Sequence, residues 1–398
     1  MADNTSSLAV RTAYMLGLHL ESPQTTPRRE RELRKRLWWT VFAIETKMSM
    51  KLGRPFLIHA SSATCSLPAD DREIAVLSGS NYAPPGENVT WLTWSIHYTK
   101  LMLTARAAYM AFYENVPNTL SGSSGEIVSE RLNEWLKGVP GTLKTKRQSN
   151  GDPFSTDLSA VEIEQFAPLW LQQQRLLLEL IYHNLCTNLY RPFISFPSAT
   201  ALDHLPDKAA VKCAAHAMAL TQIMHQVLLS TSILDGWYEA FQWQWNATMT
   251  IVGYVLAYPS CASTRKARHS IDLSIAVFEK FGDSFAVAAS AADIMRDLRA
   301  KVDFLMEQNQ SNLGISMQLA RNFEESSEVS PISDNSTILQ AVDGLQDFDS
   351  ETTAEITGVL GESIDILAVE PHNDFEWQRI HNNFPDQWEF TQQYLQDV

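Results

Sequence analysis

The chain is short of the features that build metal centres, stapled folds and membrane spans. It holds four cysteines in 398 residues, Cys65, Cys186, Cys213 and Cys261, and no two share a Cys-x-x-Cys spacing. That argues against a zinc ribbon or a disulfide framework and favours a reducing compartment. No run of about eighteen apolar residues occurs, so no transmembrane helix is expected. The opening MADNTSSLAVRTAYMLGLHL lacks the charged stretch and long apolar core of a secretory leader. Gly-x-Ser-x-Gly, Gly-Lys-Ser/Thr and Gly-x-Gly-x-x-Gly are all missing. Among the ten histidines there is no His-Glu-x-x-His, and His216 and His225 are nine apart, on opposing faces of a helix. No cofactor, no metal site and no enzymatic centre is expected.

Basic charge is missing from one region. From Asn322 onward there are seventeen acids against one base, Arg379, while the first 321 residues carry 30 bases and 29 acids. The net charge of −15 therefore belongs to the tail, which excludes nucleic-acid binding there but leaves the body undecided.

What is present reads as helix. Strand-like alternation is scarce, and the fold class is all-α. A first helix is expected over 5–20, with Ala9, Ala13, Leu16 and Leu20 on one face. A second spans 28–52, with Leu33, Leu37, Val41, Ile44 and Met48 as its apolar stripe, widened by Phe42 and Met50, and closed by Gly53 and Pro55. Residues 57–88 read as irregular. Further helices are expected over 91–113, 127–136, 162–189, 206–230, 236–258, 264–281 and 284–308. The Ser121-Gly-Ser-Ser-Gly125 run reads as a flexible link, and 143–157 as polar turns. Residues 1–320 form the helical domain. Residues 321–398 form an acidic tail, rich in serine and turn residues and disordered by composition, with a short terminal helix as an option.

The segment Arg28 to Pro55 raises the sharpest question, because a dense basic run enters two tryptophans. Glu30 and Glu32 interrupt the bases, and Arg28–Glu32 and Glu32–Arg36 sit at salt-bridge spacing. The leading reading is the solvated polar face of an amphipathic helix; a nuclear import signal and phosphate contact are the alternatives. Trp38 and Trp39 lie about 100° apart on a helix, so they anchor it in two directions.

These residues carry a resemblance. Leu16-Gly-Leu-His19, Arg34-Lys-Arg-Leu-Trp-Trp39, Leu52-Gly-Arg-Pro55 and Leu67-Pro68, in that order, resemble the middle homology region of fungal zinc binuclear cluster transcription factors. Asn188-Leu-Tyr-Arg-Pro-Phe193 and Lys212-Cys-Ala-Ala-His-Ala217 are similar to later parts of the same region and extend the likeness over about 8–300. The resemblance implies a helical regulatory domain in a nuclear regulator. Its motif positions here are Arg36, Leu37, Trp38, Trp39, Gly53, Arg54, Pro55, Arg191, Pro192 and Phe193. The six-cysteine DNA-reading cluster of that family is absent from this sequence. The family's domain also carries further helices ahead of the Leu-Gly-Leu-His segment, so an incomplete N-terminus is expected. Glu45-Thr46 stands where the family tends to carry Asp-Arg, and the loop before Leu67 has Ser61, Ser62 and Thr64 in place of acids.

The expected partners are transcription machinery or co-regulators, with a homo- or heterodimer with a DNA-binding factor as an option; direct DNA contact and a membrane are not expected. In the tail, Phe375, Trp377, Trp388, Phe390 and Leu395 sit among acids that keep them solvated, the pattern of an activation segment. A terminal helix docked on the body and an inert tail are the other readings. Trp237, Phe241 and Trp245 form a helical stripe read as core, with an apolar effector pocket as the minority reading. Cys213, beside Lys212, is expected to be half-buried and inert. A helical small-molecule binder or enzyme on the same fold is the competing function class.

Overall fold

Proline and glycine set most of the helix limits. In a computed structural model, residues 2–326 are described, apart from 71, 78–88, 114–121, 165, 197–204 and 285. The helices are α1 (Ala2–Met15), α2 (Arg28–Leu52), α3 (Arg72–Leu77), α4 (Thr93–Tyr113), α5 (Gly122–Gly138), α6 (Leu169–Tyr190), α7 (Lys208–Ser230), α8 (Tyr238–Ala257), α9 (Thr264–Gly282) and α10 (Ala286–Ser326). Two residue pairs, β1 (Lys146–Arg147) and β2 (Val161–Glu162), form a minimal antiparallel ladder. The fold is all-α.

α2 follows Pro27 and ends at Gly53, which adopts φ 61° and ψ 31° and returns its N–H to the Ser49 carbonyl. The Arg54 N–H donates to the same carbonyl at 3.0 Å, so the helix terminates through the left-handed glycine its sequence predicts. A Cβ on Gly53 would meet nothing within 4 Å. Gly53→Ala should therefore cost only the backbone penalty, roughly 1–2 kcal/mol, readable as a lower urea midpoint with an unchanged slope.

Five elements differ from the sequence reading. α1 stops at Met15 because Gly17 turns left-handed (φ 61°). α6 begins only after Pro168, which precludes a helix through the residue before it; Val161 and Glu162 pair as strand instead. The Ser121–Gly125 run is not a link: α5 starts at Gly122. Gly125 is needed there because a Cβ would stand 3.1 Å from Ala209 Cβ and 3.5 Å from the Phe193 ring. Finally, α10 continues past residue 308 to Ser326, and α3 lies inside the stretch read as irregular.

Residues 2–322 pack as one unit. α6 and α7 are its spine, α7, α8 and α9 pack mutually, and α4 joins α2 to α6. α10 lies along α9 through Arg268–Asp303 and Arg296–Glu279 pairs. No described helix is long and apolar enough to cross a membrane. Phe375, Trp377, Trp388, Phe390 and Leu395 lie outside the described residues.

Candidate functional site

The family-motif residues of the N-terminal third converge on α2, but on a different face from the one hydropathy selects. Trp38 and Phe42 are buried, at 0% and 1% exposure, with Glu45, Thr46 and Ser49 below them. Leu33, Leu37 and Ile44 stand in solvent, each near 47% exposed. Part of the predicted stripe therefore faces outward, while Val41 and Met48 are half-buried and Phe42 lies in the core, and α2 is anchored by aromatics and buried polar groups. Met15 at the end of α1 and Leu16 just after it are exposed as well, so the α1–α2 pair presents apolar surface outward.

Trp38 packs edge-on to Tyr14 at 5.3 Å and tilted on His19 at 5.6 Å, in a cluster with Val10, Ala13, Leu18 and Ile58. Trp39 turns the other way and donates its indole N–H to the Ser66 carbonyl at 3.0 Å. The two tryptophans thus fasten α2 in two directions, as their angular offset predicts.

The charges of α2 act largely as fastenings rather than as a solvated face. Arg34 donates to the Leu16 carbonyl at 2.7 Å and closes the end of α1. Lys35 pairs with Glu21 at 2.9 Å and donates to Ser66 Oγ at 2.7 Å. Glu32 accepts the Ala69 N–H at 2.7 Å. The Glu21 carboxyl is held below its ordinary range by its hydrogen bond to Lys35, then by the Ser66 N–H. Arg36 is half-buried, with its Nε unpaired, and burial lowers its guanidinium.

Glu45, which departs from the family's usual residue, is nearly fully buried. It accepts from the Leu57 N–H at 2.6 Å and from Ser49 Oγ at 3.0 Å, and it faces Arg106 of α4 at 3.5 Å. Arg106 also donates to the Ile58 carbonyl and lies 4.1 Å from the Phe56 ring centroid. The loop after Gly53-Arg-Pro is therefore clamped between α2 and α4 by an ion pair whose arginine comes from 61 residues away. No local spacing announces that partner.

The second motif set closes α6. Arg191 reaches α8, donating to Thr250 Oγ1 at 3.1 Å and to the Asn246 carbonyl at 3.3 Å. Phe193 is buried against Gly125, and Pro192 is half-buried between them in sequence. Cys213 is fully buried, not half-buried; its thiol donates to the Thr187 carbonyl at 3.2 Å, and burial pushes it up to about 12.

A buried polar network went unread in the sequence. Glu179 of α6 is 0% exposed and accepts from Thr145 Oγ1, from the Arg147 guanidinium and from the Phe154 N–H, the last at 2.8 Å. His183 stands one turn on, its Nε2 3.7 Å from Glu179. Its Nδ1 lies 2.9 Å from the Nδ1 of His216 on α7, so one ring donates and the other accepts. Burial alone would raise the Glu179 carboxyl; the facing His183 imidazole, Arg147 and Thr145 outweigh it and hold it low. Burial, then His183 and Lys212, keep His216 well below the ordinary imidazole range. The only sequence signal is the Glu-x-x-x-His spacing on α6, and it says nothing of the partners.

The Trp237–Trp245 stripe is divided. Phe241 and Trp245 are buried against Phe278 of α9, at 5.7 and 5.8 Å, while Trp237 is 37% exposed. Their ring faces are occupied by α9. No group of three or more histidine, cysteine or acidic side chains that could hold a metal occurs among the described residues.

Known proteins fit this arrangement. Residues 1–87 match the family model described as the fungal specific transcription factor domain. Residues 1–87 belong to that domain family. The domain's relatives include the transcription factor asqA of Emericella nidulans, 45% identical over 328 residues, covering 77% of this chain and 58% of that protein. The terreic acid cluster-specific transcription factor atF of Aspergillus terreus is 34% identical over 327 residues, 75% of this chain and 49% of its own. The acetamidase regulatory protein of Aspergillus fumigatus is 24% identical over 249 residues, 61% of this chain and 28% of its own. The chain thus spans about half the length of the first two. No solved structure matches it.

Proposed function

We propose that this chain is the regulatory portion of a transcriptional regulator of fungal genes, that it acts in the nucleus, and that its acidic end recruits transcription machinery or a co-regulator. The observation that carries this is the 45% identity to a named transcription factor across 77% of the chain. Two relatives are named for metabolite clusters, terreic acid and oosporein, so a set of clustered genes is the target we expect here. Several α2 bases are engaged by other parts of the chain: Arg34 by α1, Lys35 by Glu21 and, at the surface, Arg28 by Glu73. DNA is therefore reached through a DNA-binding partner, as a homo- or heterodimer, rather than through this helix.

The test is a reporter assay with residues 343–398 fused to an unrelated DNA-binding domain. Strong activation is expected, lost when Phe375, Trp377, Trp388, Phe390 and Leu395 are replaced by alanine. An expressed, nuclear fusion that leaves the reporter silent removes the activation claim. The alternative, a small-molecule binder or enzyme built on this fold, has no observation behind it, since α9 aromatics fill the stripe that would line its pocket.

A further inference from the structure

The link between α5 and α6 is a strap laid across α6, and its backbone is unlike the rest of the chain. Among the described residues, every non-glycine with positive φ lies in it: Ser149 (57°), Asn150 (58°), Phe154 (61°) and Leu158 (62°). Asparagine tolerates that region; serine, leucine and phenylalanine do so only when surrounding contacts overdetermine the conformation.

Those contacts are few and identifiable. The positive φ at Phe154 sends its N–H to Glu179 and its ring into a slot beside Trp135 of α5 and Tyr182 of α6. Trp135 and Tyr182 are stacked at 5.6 Å and 15°, and Phe154 meets them edge-on at 5.8 and 5.3 Å. The strap's other ties are Arg147 and Thr145 to Glu179, Arg175 of α6 to the Thr142 carbonyl and to Glu164, and Val161, whose N–H and carbonyl pair with the Gln226 amide of α7 at 2.8 and 2.6 Å. Gly151 lets the strap fold on itself: a Cβ there would fall 2.1 Å from Ser159 Oγ and 2.6 Å from Ser159 Cβ. A shallow, solvent-open cleft lined by Thr145, Val161, Glu164, Gln172, Arg175 and Leu176 runs between the strap and α6.

We infer that residues 139–164 are a strained lid that opens as a unit, withdrawing Phe154 from the Trp135–Tyr182 slot while α6, α7 and α8 stay folded. Strain raises the closed state, and contacts at Glu179, Arg175 and Gln226, with the buried Leu143 and Phe154 side chains, hold it shut. The helices beneath are joined independently of the strap, through His183–His216 and the apolar α6–α7 seam. Opening uncovers two aromatic faces with the Glu179 carboxylate between strap and helix.

Hydrogen exchange on the full chain, read by mass spectrometry, tests this with two variants of opposite sign. In the unmodified protein, strap amides (Gln148, Phe154, Val161) should exchange at least tenfold faster than those of α7 and α8. Ser149→Gly removes strain without touching a buried contact and should slow strap exchange by roughly fivefold or more, leaving α7 and α8 unchanged. Gly151→Ala should speed strap exchange by at least tenfold, again without effect on α7 and α8. Strap amides that exchange in step with α7 and α8 in the unmodified protein and in Ser149→Gly overturn the inference. So does a Ser149→Gly protein whose strap exchanges no more slowly. Both of those readings stand even if Gly151→Ala does not fold.

Discussion

Replacing Glu179 with leucine is expected to destabilise the protein by about 3–5 kcal/mol, because it strands a buried cation. Arg147 is 8% exposed, and its side chain loses its only carboxylate partner; the Thr145 hydroxyl and the Phe154 N–H lose their acceptor in the same step. Adding Arg147→Leu should recover a large part of the loss, since an apolar pair of similar volume tolerates the site better than half an ion pair. Urea unfolding of the two variants decides it. A single variant within 1 kcal/mol of the parent would show that water reaches Arg147 and that the network is not a buried one.

Acid should act on the same place from two directions. His216 is neutral in the fold and held below its ordinary value near 6.5, so the unfolded chain binds more protons there as pH falls beneath that value. Stability is therefore full above 6.5 and declines below it. Glu179, held below its ordinary 4.5, contributes stability above that value and loses it as pH drops through its folded value. Stability should thus fall in two stages on acidification, and His216→Phe should shrink the first stage, leaving the part due to His97 and His225, which burial also lowers. An unfolding midpoint that is constant between pH 7 and 5 would rule out a neutral buried His216.

Trp38→Ala should cost about 3–5 kcal/mol, the range for emptying a fully buried large side chain. The indole fills the junction of α1, α2 and the loop at Ile58, touching Tyr14 and His19. Leu37→Ala, one residue earlier, should change stability by no more than about 0.5 kcal/mol, because its side chain is 47% exposed. The pair is diagnostic: if the hydropathy stripe were the buried face, the ranking would reverse. Denaturant midpoints with matched slopes measure both.

That reversal shows where reading the sequence works and where it stops. The limits of α2 were legible to the residue, because Pro27, Gly53 and Pro55 act through their own backbones. The limits of α7, α8 and α9 were legible within two residues. The buried face of α2 was not, because it carries Glu45, Thr46 and Ser49. Hydropathy assigns such residues to solvent; Arg106 and the Leu57 N–H, both supplied by the fold, make the burial of Glu45 tolerable, and Glu45 in turn accepts from Ser49. The Ser121–Gly125 run read as a hinge for a similar reason: small residues suit a flexible link, and they equally suit a helix start pressed against Phe193 and Ala209.

The sequence by itself determined the all-α class, most helix ends, the two-directional anchoring by Trp38 and Trp39, and the division between a neutral body and an acidic end. Each of these depends on properties carried within a few residues: backbone freedom, periodicity, and charge per unit length. Tertiary structure alone decided which face of α2 is inside, that the α2 charges act as fastenings, and that Glu179, Arg147, His183 and His216 meet. Apart from Glu179–His183, those outcomes depend on pairs from 14 (Lys35–Glu21) to 61 (Glu45–Arg106) residues apart, and a polar side chain's preference for water or protein is settled by the partner brought to it, not by its neighbours in the chain.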